Sequence, residues 1–548
     1  MYQYDDTDRA LLKQRLDQFR DQTERFLAGD IPADEYQQLR LRNGVYLQRH
    51  APMLRVAIPY GTFTSEQMRA LARVADEYDR GFGHMTTRQN MQFNWIPLER
   101  IPDALEELAE HGMHAIQTSG SCIRNITTDP LAGAVADETE DPRPWCELMR
   151  QWSTFHPEFN WLPRKFKIAL SGAEADRAAI EVHDIGLRLR HDAAGESIFD
   201  VWVGGGLGRT PHVGKVIREG VPGAELLRYL EAVLRVYNRH GRRDNKYKAR
   251  IKILVNALTI DVFREQVDAE YEQTRQFVQR IEPADIERVR AMFATALPRE
   301  DVVAAAPVEV PRTFEVWRKQ NTRAHRTPGY RVVLISLKNP KLPAGDITAA
   351  QMRGVAALAD ELTGGDIRST HDQNLVLADV PERALFSLWQ RLGELDLAIA
   401  NIGTLADMIV CPGLDFCSLA NATSISIWDQ INERIDDIDY LHDLGDVKVR
   451  ISGCMNACGH HHVADIGILG VDKKGVEWYQ LTLGGRSQRG ARIGQRLGRA
   501  VAKADVAEAV QRILDTYTAE RQGEESFVDT LDRIGMEPFQ ERVYATAA

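Results

Sequence analysis

An internal repeat constrains the fold of this 548-residue chain more than any other feature of its sequence. The segment TSEQMRALARVADEY at 64–78 returns as TAAQMRGVAALADEL at 348–362, which is a shift of 284 positions. The same shift continues without a gap and pairs identical residues: Thr86 with Thr370, Gln89 with Gln373, and Asn90 with Asn374. Helices that resemble each other by chance would not stay in register through the segment that follows, so the repeat indicates a duplication.

Each copy of the repeat begins with a threonine suited to cap a helix. Thr64 and Thr348 precede amphipathic segments, and a loop and a short strand are predicted after each helix. This pattern predicts an α+β fold whose halves pack about an approximate two-fold axis. Residues 1–48 show helical spacing on a polar background and are interpreted as a packing or dimer arm.

Four of the six cysteines fall in two pairs, within CPGLDFC at 411–417 and SGCMNACG at 452–459. Four thiolates brought together indicate either zinc or an iron–sulfur cluster. Neither pair has the Cys-x2-Cys spacing of a structural zinc site, although His460 to His462 could add ligands. Disulfides are the third alternative, and nothing else in the sequence is typical of a secreted protein. A helical turn between Cys454 and Cys458 would place both thiols on one face.

Two basic segments stand out against a net charge of −11. In Leu162-Pro163-Arg164-Lys165-Phe166-Lys167 the two lysines alternate with Phe166, so both ammonium groups can approach one small anion. The run from Arg239 to Lys252 is denser and contains Tyr247, a pattern also found in nucleic-acid binding. The acidic balance of the chain and the absence of a nucleic-acid-binding motif argue against that function.

The remaining composition is that of an ordinary globular protein, with 44% hydrophobic and 27% charged residues. No apolar run approaches the length of a membrane span, and the polar, acidic start is unlike a signal peptide. We therefore expect a cytoplasmic protein with no membrane partner.

The two cysteine motifs resemble the cluster motif of the sulfite and nitrite reductase haemoproteins, and the basic segments strengthen the match. The resemblance implies an α+β sulfite/nitrite reductase fold of three lobes with pseudo-two-fold symmetry, holding a sirohaem and a 4Fe-4S cluster. Its implied cluster ligands are Cys411, Cys417, Cys454 and Cys458, and Cys458 would also bridge to the sirohaem iron. The expected organisation is a helical arm at 1–48, ferredoxin-like half-domains at 49–118 and 321–404, catalytic domains at 119–296 and 405–548, and a linker at 297–320.

The same resemblance assigns roles to polar residues of the first half. The implied catalytic residues, which bind the substrate and supply protons, are Arg55, Arg124, Lys165 and Lys167. The implied sirohaem-binding residues are Thr86, Arg88, Asn90, Gln92, Arg164, Arg250 and Gln373. The first of these lie in a segment read as a strand, in which Thr86, Arg88, Asn90 and Gln92 share one face. His84 and Gly120 stand where some relatives have arginine and asparagine, and neither is given a role.

The expected reaction is the six-electron reduction of sulfite to sulfide in sulfate assimilation, which feeds cysteine biosynthesis. The alternative is reduction of nitrite to ammonia with the same cofactors, in which relatives typically carry asparagine where this chain has Lys167. No flavin or nicotinamide motif is present, so a separate donor, either a ferredoxin or a flavoprotein reductase, is expected to supply electrons. The non-enzymatic alternative is a zinc-containing nucleic-acid-binding protein, which an absorption spectrum would distinguish from a tetrapyrrole enzyme.

Overall fold

The structure is a computed structural model that describes residues 4–294, 297, 309–435 and 438–545. The first half of the chain forms two units. The first half-domain contains α1 (Asp6–Ala28), α2 (Ala33–Leu41), β1 (Val45–Leu47), β2 (Pro52–Val56), β3 (Thr62–Thr64), α3 (Ser65–Glu77), β4 (Phe82–Met85), β5 (Met91–Phe93) and α4 (Ile101–Glu110). The first catalytic unit contains β6 (Thr127–Thr128), α5 (Arg143–Thr154), β7 (Ile168–Ser171), β8 (Ile185–His191), β9 (Ser197–Val203), β10 (Lys215–Pro222), α6 (Leu226–His240), α7 (Ile251–Leu258), α8 (Ile260–Thr274) and α9 (Pro283–Phe293).

The second half repeats this order. Its half-domain contains α10 (Arg312–Asn321), β11 (Thr322–Ala324), β12 (Tyr330–Ile335), β13 (Asp346–Thr348), α11 (Ala349–Leu362), β14 (Asp366–Ser369), β15 (Leu375–Pro381) and α12 (Leu385–Glu394). Its catalytic unit contains β16 (Ile409–Val410), α13 (Ile425–Arg434), α14 (Ile438–Leu444), β17 (Val449–Ser452), β18 (Ile466–Lys473), β19 (Val476–Leu483), β20 (Gln495–Arg496), β21 (Val501–Ala502), α15 (Val506–Glu520), α16 (Phe527–Ile534) and α17 (Glu537–Tyr544). None of the helices in the described ranges combines the length and apolar character that a membrane crossing needs.

The two half-domains form one lobe because each lends a strand to the sheet of the other. Strand β13 pairs antiparallel with β4 in the order β1-β2-β5-β4-β13, and β3 pairs antiparallel with β14 in the order β11-β12-β15-β14-β3. Helices α3 and α11 pack against each other, and one hydrophobic core runs through both copies. This reciprocal exchange confirms the predicted duplication about an approximate two-fold axis.

The two catalytic units are separate lobes with matching sheets. The first has the order β10-β9-β8-β7-β6, and the second has β16-β17-β18-β19-β20 with β21 beside β19. In chain order, β6, β7 and β8 of the first sheet are parallel and β9 is antiparallel to β8. Likewise β16, β17 and β18 are parallel and β19 is antiparallel to β18. Each lobe has its own apolar core, so the α+β prediction with three lobes is confirmed.

The structure confirms the predicted threonine caps at the starts of α3 and α11. The Thr64 hydroxyl accepts a hydrogen bond from the backbone N–H of Gln67, whose side chain accepts from the backbone N–H of Thr64. Thr348 and Gln351 form the same reciprocal pair. Each pair satisfies two backbone donors that a helix start would otherwise leave free.

The structure bears on two of the expected segments. In the N-terminal helical arm, α1 packs against α4 and buries Leu12, Leu16 and Phe19 in the shared core, as a packing arm would. Residues 298–308 of the predicted linker lie outside the described residues. Its end was assigned wrongly, because residues from Arg312 form α10 and bury Phe314 and Trp317.

Candidate active site

The segment before β7 positions both lysines of the first basic motif. Phe166 is fully buried and pairs with Ile123 in a short parallel bridge. The backbone N–H of Arg124 donates to the carbonyl of Phe166 at 2.7 Å, which ties the two basic segments together. Lys165 and Lys167 flank the buried ring and remain partly exposed, as the predicted alternation requires.

Both lysines lie in a strongly electropositive environment. Burial and the charges of Arg124 and Arg250 lower the pKa of Lys165 to about 8, and Cys458 opposes the shift. Burial, Arg88 and Lys165 likewise hold the pKa of Lys167 well below its ordinary value. An ammonium group with a lowered pKa gives up a proton near neutral pH, which suits a proton donor.

Arg55 and Arg124 reach the same carbonyl from two segments. The Nη1 atoms of Arg55 on β2 and of Arg124 donate to the Thr118 carbonyl at 3.2 and 2.6 Å. Gln92 holds Arg55 through its Oε1, 3.0 Å from the Arg55 Nη2. Neither arginine has a carboxylate at ion-pair distance in the described part of the chain, so their charges are available to an external anion.

The segment read as a strand at Thr86–Gln92 is largely a turn, which corrects the predicted shared face. The Thr86 N–H donates to the Asn90 carbonyl at 2.9 Å, and Gln89 has a φ of 57°. The Thr86 hydroxyl accepts from the backbone N–H groups of Arg88 and Asn90 at 3.3 and 3.2 Å. Strand β5 begins only at Met91, so Gln92 alone of the four predicted residues lies on a strand.

The turn places the cation Arg88 close to the basic residues of the site. Arg88 lies beside His183, with Nη1 and Nε2 2.9 Å apart, and donates to the Asn125 carbonyl. Burial and the nearby Arg124 lower the pKa of Arg88 to about 9. The Asn90 amide oxygen instead accepts from the backbone N–H of Ile58 and from the Asn125 side-chain amide, which gives this side chain a structural role.

The second basic run contributes Arg250 at the start of α7. Its guanidinium donates to both carboxylate oxygens of Asp184 at 2.8 and 2.7 Å, and Asp184 also accepts from the Lys167 N–H at 2.8 Å. Lys252 donates to three carbonyls of the glycine-containing loop at 206–210. Arg164 is half-buried, and burial, Arg124 and Arg250 lower its pKa. Arg250 and Lys252 of the run are thus held by protein groups beside the cations Arg55, Arg88, Arg124, Lys165 and Lys167, which together we call the cationic pocket.

The four motif cysteines converge beside this pocket. Cys411 follows β16, and the backbone N–H of Gly453 donates to its sulfur at 3.1 Å. Burial raises the pKa of Cys411 to about 12 and that of Cys454 to about 11, and burial also raises the pKa of Cys417. Cys458 contributes to each of these shifts, so the other three thiols lie within electrostatic reach of Cys458.

The segment between Cys454 and Cys458 is a series of turns, with a φ of 54° at Ala457, and the predicted helical turn is wrong. In the described ranges no three His, Cys, Asp or Glu side chains lie close enough to share one metal ion. The Thr87 hydroxyl donates to the Cys458 carbonyl at 2.9 Å. Cys458 therefore lies where the cationic pocket and the thiols meet.

The donors present fit the two groups expected from the sequence. Four thiols with a backbone N–H aimed at one sulfur suit an iron–sulfur cluster. A carboxylate-rich tetrapyrrole suits unpaired cations, and the buried Nε of Arg124 has no hydrogen-bond partner among the described residues. Fold and site together define a metalloenzyme that acts on a small anion beside a thiol-bound cluster.

Comparison with known proteins places the chain in a family. The model of the nitrite and sulphite reductase 4Fe-4S domain matches residues 119–275 and 404–547, and the nitrite/sulfite reductase ferredoxin-like half domain matches 46–111 and 339–395. The chain belongs to the nitrite and sulfite reductase family. Its cofactors are accordingly a sirohaem and a 4Fe-4S cluster.

Individual relatives include enzymes of both substrate classes. A sulfite reductase (ferredoxin) of Mycobacterium tuberculosis is 29% identical over 495 residues, covering 88% of this chain and 82% of the relative. An assimilatory ferredoxin-dependent nitrite reductase of Haloferax mediterranei is 28% identical over 549 residues, covering 93% and 88%. The solved structure of the Mycobacterium tuberculosis NirA protein matches with a TM-score of 0.79 and 25% identity, covering 96% of each chain.

Some residues at the site were missed from the sequence. Tyr46 lies beside Arg55, and although burial raises its pKa, the charges of Arg124, Arg55 and Lys165 bring it below its ordinary value. His183 and Asp184 were also missed. Asp184-Ile185-Gly186 returns as Asp465-Ile466-Gly467, and this repeat could have identified Asp184. No comparable signal marks Tyr46 or His183.

Proposed function

We propose that the protein is an assimilatory sulfite reductase that reduces sulfite to sulfide in a six-electron reaction, with ferredoxin as the electron donor. The observation that carries the proposal is the convergence of Arg55, Arg124, Lys165 and Lys167 with no carboxylate partner among the residues that the structure describes. Sulfite carries up to two negative charges at neutral pH, whereas nitrite carries one. Each additional cation in a partly desolvated pocket therefore favours sulfite.

The roles of the protein groups follow from their positions. The two arginines are fixed by carbonyl and amide contacts, so they bind the anion with little rearrangement. The two lysines have lowered pKa values and supply protons as oxygen leaves as water. Cys458 would join the two cofactors, and when bound the cluster and the sirohaem would supply the electrons for the reduction.

The proposed cofactor contacts are divided between the two halves of the chain. Cys411, Cys417, Cys454 and Cys458 from the second half ligate the cluster. Arg88 and Arg164 from the first half would neutralise sirohaem carboxylates, and Gln92 supports Arg55. Arg250, which is already paired with Asp184, would line the sirohaem pocket. Thr86 and Asn90 contribute indirectly, because their side chains bond backbone groups and so hold the turn that carries Arg88.

Ferredoxin is preferred over a flavoprotein because relatives of both substrate classes carry ferredoxin in their names. We place the enzyme in the cytoplasm, where a reducing environment keeps cluster-ligating thiolates intact.

The experiment that tests the substrate is Lys167→Asn, assayed with sulfite and nitrite and an artificial electron donor. The variant keeps a hydrogen-bond donor and removes one charge. We expect kcat/KM for sulfite to fall by about 1–3 kcal/mol of transition-state stabilisation and nitrite turnover to fall less or to rise.

The matched control is Lys448→Asn. Lys448 occupies the equivalent place before β17, where its N–H donates to Asp465 as that of Lys167 donates to Asp184. The control is expected to leave both activities unchanged. An equal loss on sulfite and nitrite in Lys167→Asn would reject the preference for sulfite and favour the nitrite reductase alternative, for which the Haloferax relative is the precedent.

A further inference from the structure

A buried chain of hydrogen bonds connects the first half-domain to the cysteine segment of the second catalytic unit. His84 on β4 and Asp346 on β13 face each other across the exchanged strand, with Nδ1 and Oδ1 2.7 Å apart. The Gln373 amide nitrogen lies 3.1 Å from the other ring nitrogen of His84 and donates to the Met85 carbonyl at 3.0 Å. The side chains of His84, Asp346 and Gln373 are all buried.

The direction of these bonds follows from the last contact. The Gln373 amide oxygen accepts from the backbone N–H of Val410 at 2.9 Å, which identifies the other end of the amide as the NH2 group. That NH2 donates to His84 Nε2, so the proton of a neutral imidazole is on Nδ1 and points at Asp346. One consistent pattern therefore runs from Asp346 through His84 and Gln373 to the residue before Cys411.

The same groups lie at the wall of a small cavity behind the cysteine. His84, Asp346, Val410 and Cys411 all line it, and its volume of about 10 Å³ leaves space for about one water at most. Bulk water does not separate the carboxylate and imidazole from the cysteine segment. Their influence on a group bound there is screened less than at a surface.

The other copy of the repeat has the same glutamine but lacks the histidine and the aspartate. Gln89 uses its amide in the same way, donating to the Ser369 carbonyl at 2.9 Å and accepting from the Thr128 N–H at 3.2 Å. The positions equivalent to His84 and Asp346 are Arg368 and Thr62. Arg368 turns to Asp366 and to the carbonyls of 130 and 132, and among the described contacts it makes none to Gln89.

We propose that His84 and Asp346 are positioning residues for the iron–sulfur cluster, acting through Gln373 and the Val410 N–H on the segment that carries Cys411. Both halves have the glutamine that accepts from a backbone N–H. Of the two, only the copy with Gln373 has the imidazole and carboxylate, and there the residue that donates the N–H, Val410, directly precedes the ligand Cys411. The inference rests on the assignment of Cys411 as a ligand and not on the choice of sulfite. Iron content of Cys411→Ser tests that assignment separately.

The test compares Gln373→Met with Gln89→Met in the holoenzyme. Each change removes one hydrogen bond to a carbonyl and one from a backbone N–H, and Gln373→Met also removes the bond to His84, so both variants are expected to lose thermal stability. Only Gln373→Met is expected to shift the midpoint potential of the cluster and the EPR signal of its reduced form. Spectra and potentials that match the wild type in both variants, or that change equally in both, would overturn the proposal.

A second pair of variants keeps the proposal testable if Gln373→Met fails to fold. His84→Leu is expected to reproduce the shift in cluster potential, because Gln373 loses its acceptor and Asp346 its donor. His84→Gln can accept from Gln373 and donate to Asp346, and it is expected to restore a signal close to that of the wild type. A wild-type potential and EPR signal in His84→Leu would show that the imidazole does not act on the cluster.

Discussion

The pockets of the two halves have the same framework and opposite electrostatics. In the first half Arg88, Lys165 and Lys167 have no carboxylate at ion-pair distance among the described residues. In the second half Asp372 replaces Arg88 and Asp446 replaces Lys165. Only Lys167 has a lysine, Lys448, at its equivalent position. One half thus keeps a surplus of positive charge, and the other has lost it.

The second pocket neutralises its own cations. The ion pairs there are Arg450 with Asp372 at 3.5 Å, Lys338 with Asp407 at 3.4 Å, and Lys448 with Asp446 at 3.7 Å. A cation that is already paired gains little from an external anion, whereas an unpaired buried cation gains a great deal. The difference leads us to expect that the proposed anion site lies in the first half of the duplicated fold.

The largest expected effect tests the junction between the halves. Cys458→Ser removes the thiol that lies between the cationic pocket and the other three cysteines, so we expect loss of the cluster, of its link to the sirohaem and of all activity. Cys122→Ser is the control, because Cys122 is a free thiol outside the motifs. Iron content and the absorption spectrum measure both. Normal cluster and sirohaem content in Cys458→Ser would contradict the bridging role.

The second prediction compares two equivalent carboxylates that hold the backbone of Lys167 and Lys448. Asp184 also pairs with Arg250, which is largely buried. Asp184→Asn leaves that guanidinium without a charge partner, so we expect a loss of about 3 kcal/mol in the free energy of unfolding and weaker sirohaem binding. Denaturant unfolding and sirohaem content provide the measurements. Unchanged stability would show that the Asp184–Arg250 pair contributes little.

Asp465, the counterpart in the second half, should respond in the opposite way. Burial raises the pKa of its carboxyl to about 6, against the hydrogen bond from the Lys448 N–H. Because the folded-state pKa is above the ordinary value, this group's contribution to stability is complete below about pH 4 and is lost as the pH rises through 6. Asp465→Asn is therefore expected to be more stable than the wild type at pH 8 by about 1–3 kcal/mol, and equally stable at pH 4. A stability difference that does not change with pH would contradict the assignment.

The smallest expected effect is on stability, and it concerns the helix caps that the two halves share. Thr64→Ala and Thr348→Ala each remove the capping hydroxyl of equivalent helices, and each is expected to cost about 1 kcal/mol. The two costs should agree closely, and sulfite reduction should be unchanged in both. Thermal unfolding measures them. Clearly unequal losses would show that the copies have diverged in packing as well as in charge.

The sequence by itself determined the duplication, the helix starts, the clustering of four cysteines and the alternation of Lys165 and Lys167 about Phe166. Each of these depends on residues close together in the chain or on identity at a fixed shift. Local spacing is sufficient for such features, because capping, alternation and register are set by neighbouring residues.

Only the tertiary structure decided the rest, because it depends on which groups meet across the chain. The turn at Thr86–Asn90 has the polar alternation of a strand, yet its hydroxyl and amide groups bond their own backbone and Ile58. The helix from Arg312 follows a segment rich in proline and alanine, and it is stabilised by burying Phe314 and Trp317 in a core made by both halves. Strand exchange, the pairing of Asp372 with Arg450 and the contact of His84 with Gln373 join residues far apart in sequence, and no local pattern encodes such partners.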